Sequence, residues 1–358
     1  MKLLEVEGKA LFKQSKIPIP KGILINSIKE INKIKTPCIL KAQILSGKRG
    51  KAGLIKKFSK EEIAQAKAFA KQLFKNKEVF SVLSEQLIPI QKEYYLSLMI
   101  DGTIKDVICI FSKQGGMDIE EVSKQHPKEI IKFKITKTEI SKHLKLPTAE
   151  KQQITKLIFQ LHKLMQQYDA ELVELNPLAI TKNGIVAVDS KVVIDTKALY
   201  RHPEFQPFEH RELTGRELEA AHLGLHYVDL DGNIGVIGDG AGLVMATLDV
   251  LAHYKLKPAN FLDVGGGAGE ERMINALKII TQKKLKCIFV NIFGGITLCD
   301  DIARALVAAK EKLNVKIPFV VRMAGTNVKE AEIILNKANI KTVPTMLDGI
   351  KKVRTICH

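Results

Sequence analysis

The chain has 358 residues, 46% of them apolar, and a formal net charge of +17. That length and apolar share support two or three domains with cores of their own, while no apolar run approaches the roughly 18 residues a membrane span needs. The 56 lysines and arginines are spread over the whole chain, tryptophan is absent and aromatics make up 6%, which excludes a base-stacking nucleic-acid surface and favours anionic small-molecule substrates.

The first residues, Met1-Lys-Leu-Leu-Glu-Val-Glu-Gly-Lys9, put acids where a signal peptide carries its apolar stretch. Cys38, Cys109, Cys287, Cys299 and Cys357 lack Cys-x-x-Cys spacing and read as reduced thiols of a cytoplasmic protein. Up to about residue 210 short helices alternate with strands, among them residues 39–42 and 94–100. After the first of these strands comes Gly47-Lys48-Arg49-Gly50-Lys51-Ala52-Gly53. Glycines and three cations in so short a turn can fold over phosphates; the same residues also make a solvated basic hairpin tip.

Residues 171–191 contain two β-rich runs around Thr181-Lys182-Asn183-Gly184, the pattern of a hairpin. Residues two apart share a strand face, so Glu174 and Asn176 point the same way. With Lys182-Asn183 as the loop, Asn176 lies opposite Asp189 and Glu174 opposite Lys191. A loop at Asn183-Gly184 shifts the pairing by two and leaves all four on one face. Three hard oxygen donors there suit Mg²⁺ beside a polyphosphate, and spacing alone equally allows a polar face that is simply wet.

The stretch 201–210 has two prolines and little periodicity, which marks a linker. Beyond it strands at 234–239, 261–264, 287–293, 319–322 and 342–343 alternate with helices at 243–254, 270–282, 300–313, 328–338 and from 347. Five such βα units predict an α/β doubly wound parallel sheet. Its first four strands run into Gly238-Asp239-Gly240-Ala241-Gly242, Gly265-Gly266-Gly267, Gly294-Gly295 and Gly325. Ligands of such sheets sit outside the carboxyl ends of the strands, where glycine lets backbone N–H groups approach an anion. Neither a complete G-x-G-x-x-G nor a Walker A sequence is present.

Taken in order, Lys9-Ala-Leu-Phe12, the 41–53 segment, Gly115-Gly-Met-Asp-Ile-Glu-Glu-Val122 and Glu174-Leu-Asn-Pro-Leu178 are followed by Leu230-Asp-Gly-Asn-Ile-Gly235. Ala259-Asn-Phe-Leu-Asp-Val-Gly-Gly-Gly-Ala268, Val290-Asn-Ile-Phe-Gly-Gly-Ile296 and Arg322-Met-Ala-Gly-Thr-Asn327 complete the series. Together they resemble the β subunit of succinyl-CoA synthetase, the ADP- or GDP-forming succinate–CoA ligase, over essentially the whole chain. The resemblance implies an ATP-grasp nucleotide-binding domain over residues 1–210 and a flavodoxin-like CoA-ligase domain over 211–358. It also implies the tricarboxylic acid cycle reaction, in which succinyl-CoA, phosphate and nucleoside diphosphate interconvert with succinate, CoA and nucleoside triphosphate. The phosphoryl group would travel on a phosphohistidine of a partner α subunit, which also binds CoA. No histidine of this chain lies in a glycine-rich turn, so the acceptor must come from elsewhere.

Carried over by position, Lys41, Lys48, Arg49 and Gly50 would bind nucleotide phosphates, and Glu85, Glu93 and the backbone near Ile88 the adenine–ribose end. Asn176 and Asp189 would coordinate Mg²⁺, and Glu174 would contact the partner's phosphohistidine. Asp239 with Gly294, Gly295 and Ile296 would face succinate or the phosphoryl group. Asp239 stands where the family usually has asparagine, Ser190 where it usually has glycine, and Leu45 and Lys48 depart from its basic loop. Pro20 occupies a position where GTP-preferring members tend to carry glutamine, which favours ATP. Two other functions remain open to the sequence: the large subunit of a malate–CoA ligase, and a non-catalytic interaction protein of the same fold.

Overall fold

The computed structural model describes residues 1–45, 49–213, 215–295 and 298–357. They divide into two compact units, Met1–Glu209 and His210–His358. No helix among the described residues is long and apolar enough to cross a membrane.

The first unit opens with α1 (Glu5–Gln14), then β1 (Gly22–Ile25), β2 (Cys38–Gln43), β3 (Ile55–Phe58), α2 (Ile63–Leu73) and β4 (Ser81–Gln86). The four strands form one antiparallel sheet in the order β1-β4-β2-β3. One small core, built on Ile25, Leu40, Phe58 and Val82, packs this sheet against Ala66, Ala70 and Leu73 of α2.

Next come β5 (Lys92–Asp101), β6 (Asp106–Ser112), α3 (Ile119–Gln125), β7 (Ile130–Lys134) and α4 (Lys137–His143). The unit continues with α5 (Thr148–Tyr168), β8 (Ala170–Thr181), β9 (Gly184–Ala187) and β10 (Lys191–Ile194). These strands make a second antiparallel sheet, β10-β8-β5-β6-β7, with β9 paired to β8. Helix α5 buries Ile154, Leu157, Ile158, Leu161, Leu164, Met165 and Tyr168. That is the 3–4 spacing of a core-facing stripe, and each fully buried aliphatic residue in it contributes about 1.5–3 kcal/mol.

The expected linker is not structureless. Residues Thr196–Arg201 and Pro203–Phe208 form two 3₁₀ turns, a conformation that tolerates proline and lacks the 3.6-residue period. His202 bonds Asp169 across 2.7 Å, and Phe205 is buried in the first unit's core.

In the second unit α6 (Gly215–His222) and β11 (His226–Asp229) precede β12 (Ile234–Gly238), α7 (Ala241–His253), β13 (Asn260–Asp263) and α8 (Glu270–Ile280). It ends with β14 (Cys287–Gly294), α9 (Cys299–Lys312), β15 (Phe319–Gly325), α10 (Val328–Lys337), β16 (Thr342–Val343) and α11 (Met346–Cys357). The expected βα series is there with ends shifted by at most three residues. Strand β11 is an additional antiparallel edge on β13. The parallel strands run β13-β12-β14-β15-β16, the 2-1-3-4-5 order of flavodoxin-like sheets, whose switch point lies between the first and third strands. Alternate strand residues enter opposite cores: Val236 and Phe289 meet α7 and α11, whereas Ile237 and Val290 meet α8 and α9.

Candidate functional site

The hairpin follows the first of the two registers, with Lys182-Asn183 as its loop. Thr181 pairs with Gly184, Leu178 with Ala187, and Glu174 with Lys191. By the same count Asn176 and Asp189 fall at facing positions between the two paired stretches. There β8 bulges against β5: Tyr94 pairs with Leu178 and Leu96 with Leu175, so Asn176 and Pro177 together oppose Tyr95. Proline has no N–H to give the ladder, and a bulge re-aims its side chains.

Asn176 Oδ1 accepts the Gly116 N–H and its Nδ2 donates to the Met117 carbonyl, each across 2.8 Å. The glycines of that turn are sterically required. A Cβ on Gly115 would lie 2.6 Å from the backbone of Glu93 and Tyr94, and Gly116 has φ +72° with Glu93 Oε2 2.4 Å from a notional Cβ. The turn therefore ties together Glu93 and Asn176, two of the expected ligands. Exposed Glu93 also lines a cavity of about 420 Å³ with Lys92, Tyr94, Lys113, Leu146 and Pro147. Ile88 lies half-buried in the segment leading into β5. Glu174 is half-buried, with Lys191 Nζ 3.6 Å away and the Tyr95 hydroxyl donating across 3.3 Å. Burial and the Glu174 charge push the Tyr95 phenol up, so it remains a donor.

The other expected residues of the first unit join a buried ion cluster. Lys41 Nζ donates to Glu5 Oε1 (2.7 Å) and the Val188 carbonyl (2.6 Å), and lies 2.9 Å from Glu85 Oε2. Lys9 Nζ reaches Glu5 Oε1 (2.6 Å), both Glu85 oxygens (2.6 and 2.8 Å) and the Val188 carbonyl (2.8 Å). Arg49 bridges Glu5 Oε2 (2.5 Å) and Asp189 Oδ1 (2.7 Å). Three cations thus meet three carboxylates. Burial pushes Glu5 up, but Lys41, Lys9 and Arg49 outweigh it and hold the carboxyl well below its usual range. Burial and neighbouring Glu5 push Asp189 up, against Arg49 and Lys41. Burial alone lowers Lys41, and Glu5, Glu85 and Asp189 reverse that, so its ammonium stays charged. Lys41 and Glu85, expected at opposite ends of a nucleotide, are here direct partners. Gly50 is exposed in the turn after Arg49; Lys48 lies outside the described residues.

Among the described residues no group of three or more His, Cys, Asp or Glu side chains is arranged to hold a metal by itself. The donor set still suits Mg²⁺, which takes one or two protein oxygens and completes its shell with water and phosphate. The Arg49 and Ser190 bonds to Asp189 both end on Oδ1, and the amide oxygen of Asn176 has a second lone pair.

In the second unit the glycine turns gather at one sheet edge. Asp263, Gly238, Asn291 and Arg322 form a row across β13, β12, β14 and β15. Asp239 and Gly240 follow β12, while Gly294 and Gly295 end β14, on the two sides of the switch point. The Gly240 and Gly265 N–H groups both donate to Asp263 Oδ1, at 2.7 and 2.8 Å. Gly325 packs on Gly294, whose carbonyl oxygen would be 1.9 Å from a Cβ there. Asp239 is half-buried and Gly295 exposed; Ile296 lies outside the described residues.

Sequence reasoning missed three side chains. Glu5 and Lys9 are buried on α1 at the centre of the ion cluster. Arg322 reaches Asn291 Oδ1 at 3.4 Å, and its buried Nε has no hydrogen-bond partner among the described residues. Spacing gave some signal for the first two. Glu5, Gly8, Lys9 and Phe12 share one helix stripe.

The ATP-grasp domain family matches residues 2–180 and the CoA-ligase family residues 237–348. The chain is 43% identical to the ADP-forming succinate–CoA ligase subunit beta of Ignicoccus hospitalis, covering 97% of this chain and 96% of that one. It is 42% identical to the protein of the same name from Desulfurococcus amylolyticus, covering 99% and 98%. Among solved structures, ATP citrate lyase from Methanothrix soehngenii in complex with citrate and coenzyme A superposes with a TM-score of 0.72, at 17% identity over 95% of each chain, a likeness of fold. An ATP-grasp unit with clustered cations and carboxylates, a flavodoxin-like unit with glycine turns at its switch point, and relatives of this identity over nearly full length place the chain in the family of succinate–CoA ligase β subunits.

Proposed function

We propose that the chain is the β subunit of an ADP-forming succinate–CoA ligase that works in the cytoplasm with an α subunit carrying the phosphorylated histidine and the CoA site. The observation that carries this reading is the convergence of Lys41 and Arg49 with Asp189 in one cluster, cations for a polyphosphate beside a carboxylate for its metal. Lys41, Arg49 and Gly50, with Lys48, bind the nucleotide phosphates. Glu93 and the backbone near Ile88 serve the adenine–ribose side, while Glu85 balances Lys9 and Lys41 beside the phosphates. Asn176 and Asp189 would hold Mg²⁺, which when bound neutralises phosphate charge.

Glu174 receives the partner's imidazole. Its carboxylate accepts the free ring N–H, orients the ring and stabilises its cationic form. Lys191 and Tyr95 fix that carboxylate in place. At the second site Asp239 with Gly294, Gly295 and Ile296 faces the organic acid or the phosphoryl group. Helix α7 begins two residues after Asp239, and the positive end of a helix dipole favours an anion.

The test is reconstitution with the α partner and assay of CoA-dependent ADP release with succinate, malate and other acids. Turnover with succinate and ATP, and none by the chain alone, is the expected result. Turnover by rigorously pure chain without a partner would overturn the division of labour, and malate outpacing succinate would overturn the substrate.

A further inference from the structure

We infer that Glu5, remote in sequence from the nucleotide-binding segments, is a positioning residue that holds Lys41 and Arg49 in place for the nucleotide phosphates; this rests on the nucleotide site proposed above. Of the three carboxylates in the cluster, Glu5 makes the hydrogen bonds that span both cations. Its Oε1 accepts Lys41 at 2.7 Å and its Oε2 accepts Arg49 at 2.5 Å, so one rigid group sets the separation of the two. Its side chain is 1% exposed, and Lys9, one helical turn on, takes its Oε1 at 2.6 Å. A lysine ammonium is a point charge on a flexible four-carbon stem. Arg49 likewise carries its charge at the end of a long side chain, so neither cation is placed by its own backbone alone.

Charge neutralisation is the competing role, and it can be separated by arithmetic. The cluster holds Lys9, Lys41 and Arg49 against Glu5, Glu85 and Asp189. Glu5→Gln alone leaves one buried cation unbalanced, which risks the fold. Glu5→Gln with Lys9→Met removes one charge of each sign and restores neutrality. Glu5→Asp keeps the charge and shortens the reach by one methylene.

The experiment is calorimetric titration of the full chain and both variants with ADP and with adenosine, at fixed Mg²⁺, after circular dichroism has established folding. If Glu5 positions the phosphate cations, both variants lose ADP affinity by about tenfold or more, while adenosine binding stays within about twofold because it meets no phosphate cation. Wild-type ADP affinity in either folded variant overturns the inference alone. Equal loss of ADP and adenosine also overturns it, because a general defect of the site would do that. Failure of the unsubstituted chain to bind ADP overturns the nucleotide site and this inference together.

Discussion

The two proposed anion sites are built by opposite means. In the first, side chains carry the charge: Lys9, Lys41, Glu5 and Glu85 are buried together, and half-buried Arg49 links them to half-buried Asp189 at the margin. In the second, the row Asp263, Gly238, Asn291, Arg322 holds one carboxylate and one cation, and glycine turns end the strands at the switch point, where the Gly240 and Gly265 N–H groups are taken by Asp263. A buried ion cluster is sensitive to the loss of any one member, by about 3–5 kcal/mol where a partner is left unpaired. A backbone-built edge is sensitive to shape instead. The comparison teaches that charge substitutions should act most strongly in the first unit and more gently in the second.

The largest effect expected is that of Asp189→Ala. It removes a proposed metal oxygen and one anchor of Arg49, and since metal stabilisation of transferring phosphoryl groups is worth several kcal/mol, turnover should fall at least about 100-fold. Arg49 keeps Glu5, so the fold should persist by circular dichroism. Turnover near wild type at ordinary Mg²⁺ would mean that the polar face of the hairpin is only solvated.

Glu174→Gln should divide the reaction. The amide still accepts from Tyr95 but loses the charge, so phosphorylation of the partner histidine by ATP should slow about tenfold, or ~1.4 kcal/mol. Phosphorylation from succinyl-CoA and phosphate, at the other site, should survive. Rapid-quench measurement of both half-reactions decides it, and a parallel loss would make Glu174 structural.

Ser190→Ala sharpens the cost of polarity in the same region. The Ser190 hydroxyl is buried without a hydrogen-bond partner among the described residues. Removing it should raise stability by about 1 kcal/mol, a penalty typical of an unpaired buried polar group. Denaturant unfolding measures this, and a lower midpoint would point to a bound water at the hydroxyl.

In the second unit Asp239→Asn should act most weakly. An ionised carboxylate repels a dicarboxylate substrate unless a cation offsets it. The substitution should therefore lower the succinate KM about twofold to threefold, less than ~1 kcal/mol, with the nucleotide KM unchanged. An unchanged or raised succinate KM would show that Asp239 is already offset or faces elsewhere.

The second unit was the more legible in sequence, because parallel βα units announce themselves through apolar runs that end in glycine. Strand β11 escaped because it is four residues long and its alternation is weak, with only Tyr227 fully buried. In the first unit the hairpin register was open between two loops and packing chose one. The bulge at Asn176-Pro177 could not be read from alternation, since it breaks it. Glu5 and Lys9 were hidden for a more general reason. Charged residues on a helix read as its solvent face, and only partners far away in the chain, Glu85 and Val188 among them, make burial tolerable. The ion cluster is thus a tertiary fact with almost no local trace.

The meeting of α1 with the residue after Asp189 carries one further consequence, for how such chains can drift. A Cβ on Gly8 would lie 2.1 Å from Ser190 Oγ, so positions 8 and 190 share the space of a single small group. With serine at 190, a side chain at 8 forces the hydroxyl to turn away. A chain with glycine at 190 leaves an alanine at 8 only Val192 Cγ2, at 3.2 Å, to move aside, and the alanine would favour the helix by about 0.5–1 kcal/mol. The two positions, 182 residues apart, therefore compete for the same volume.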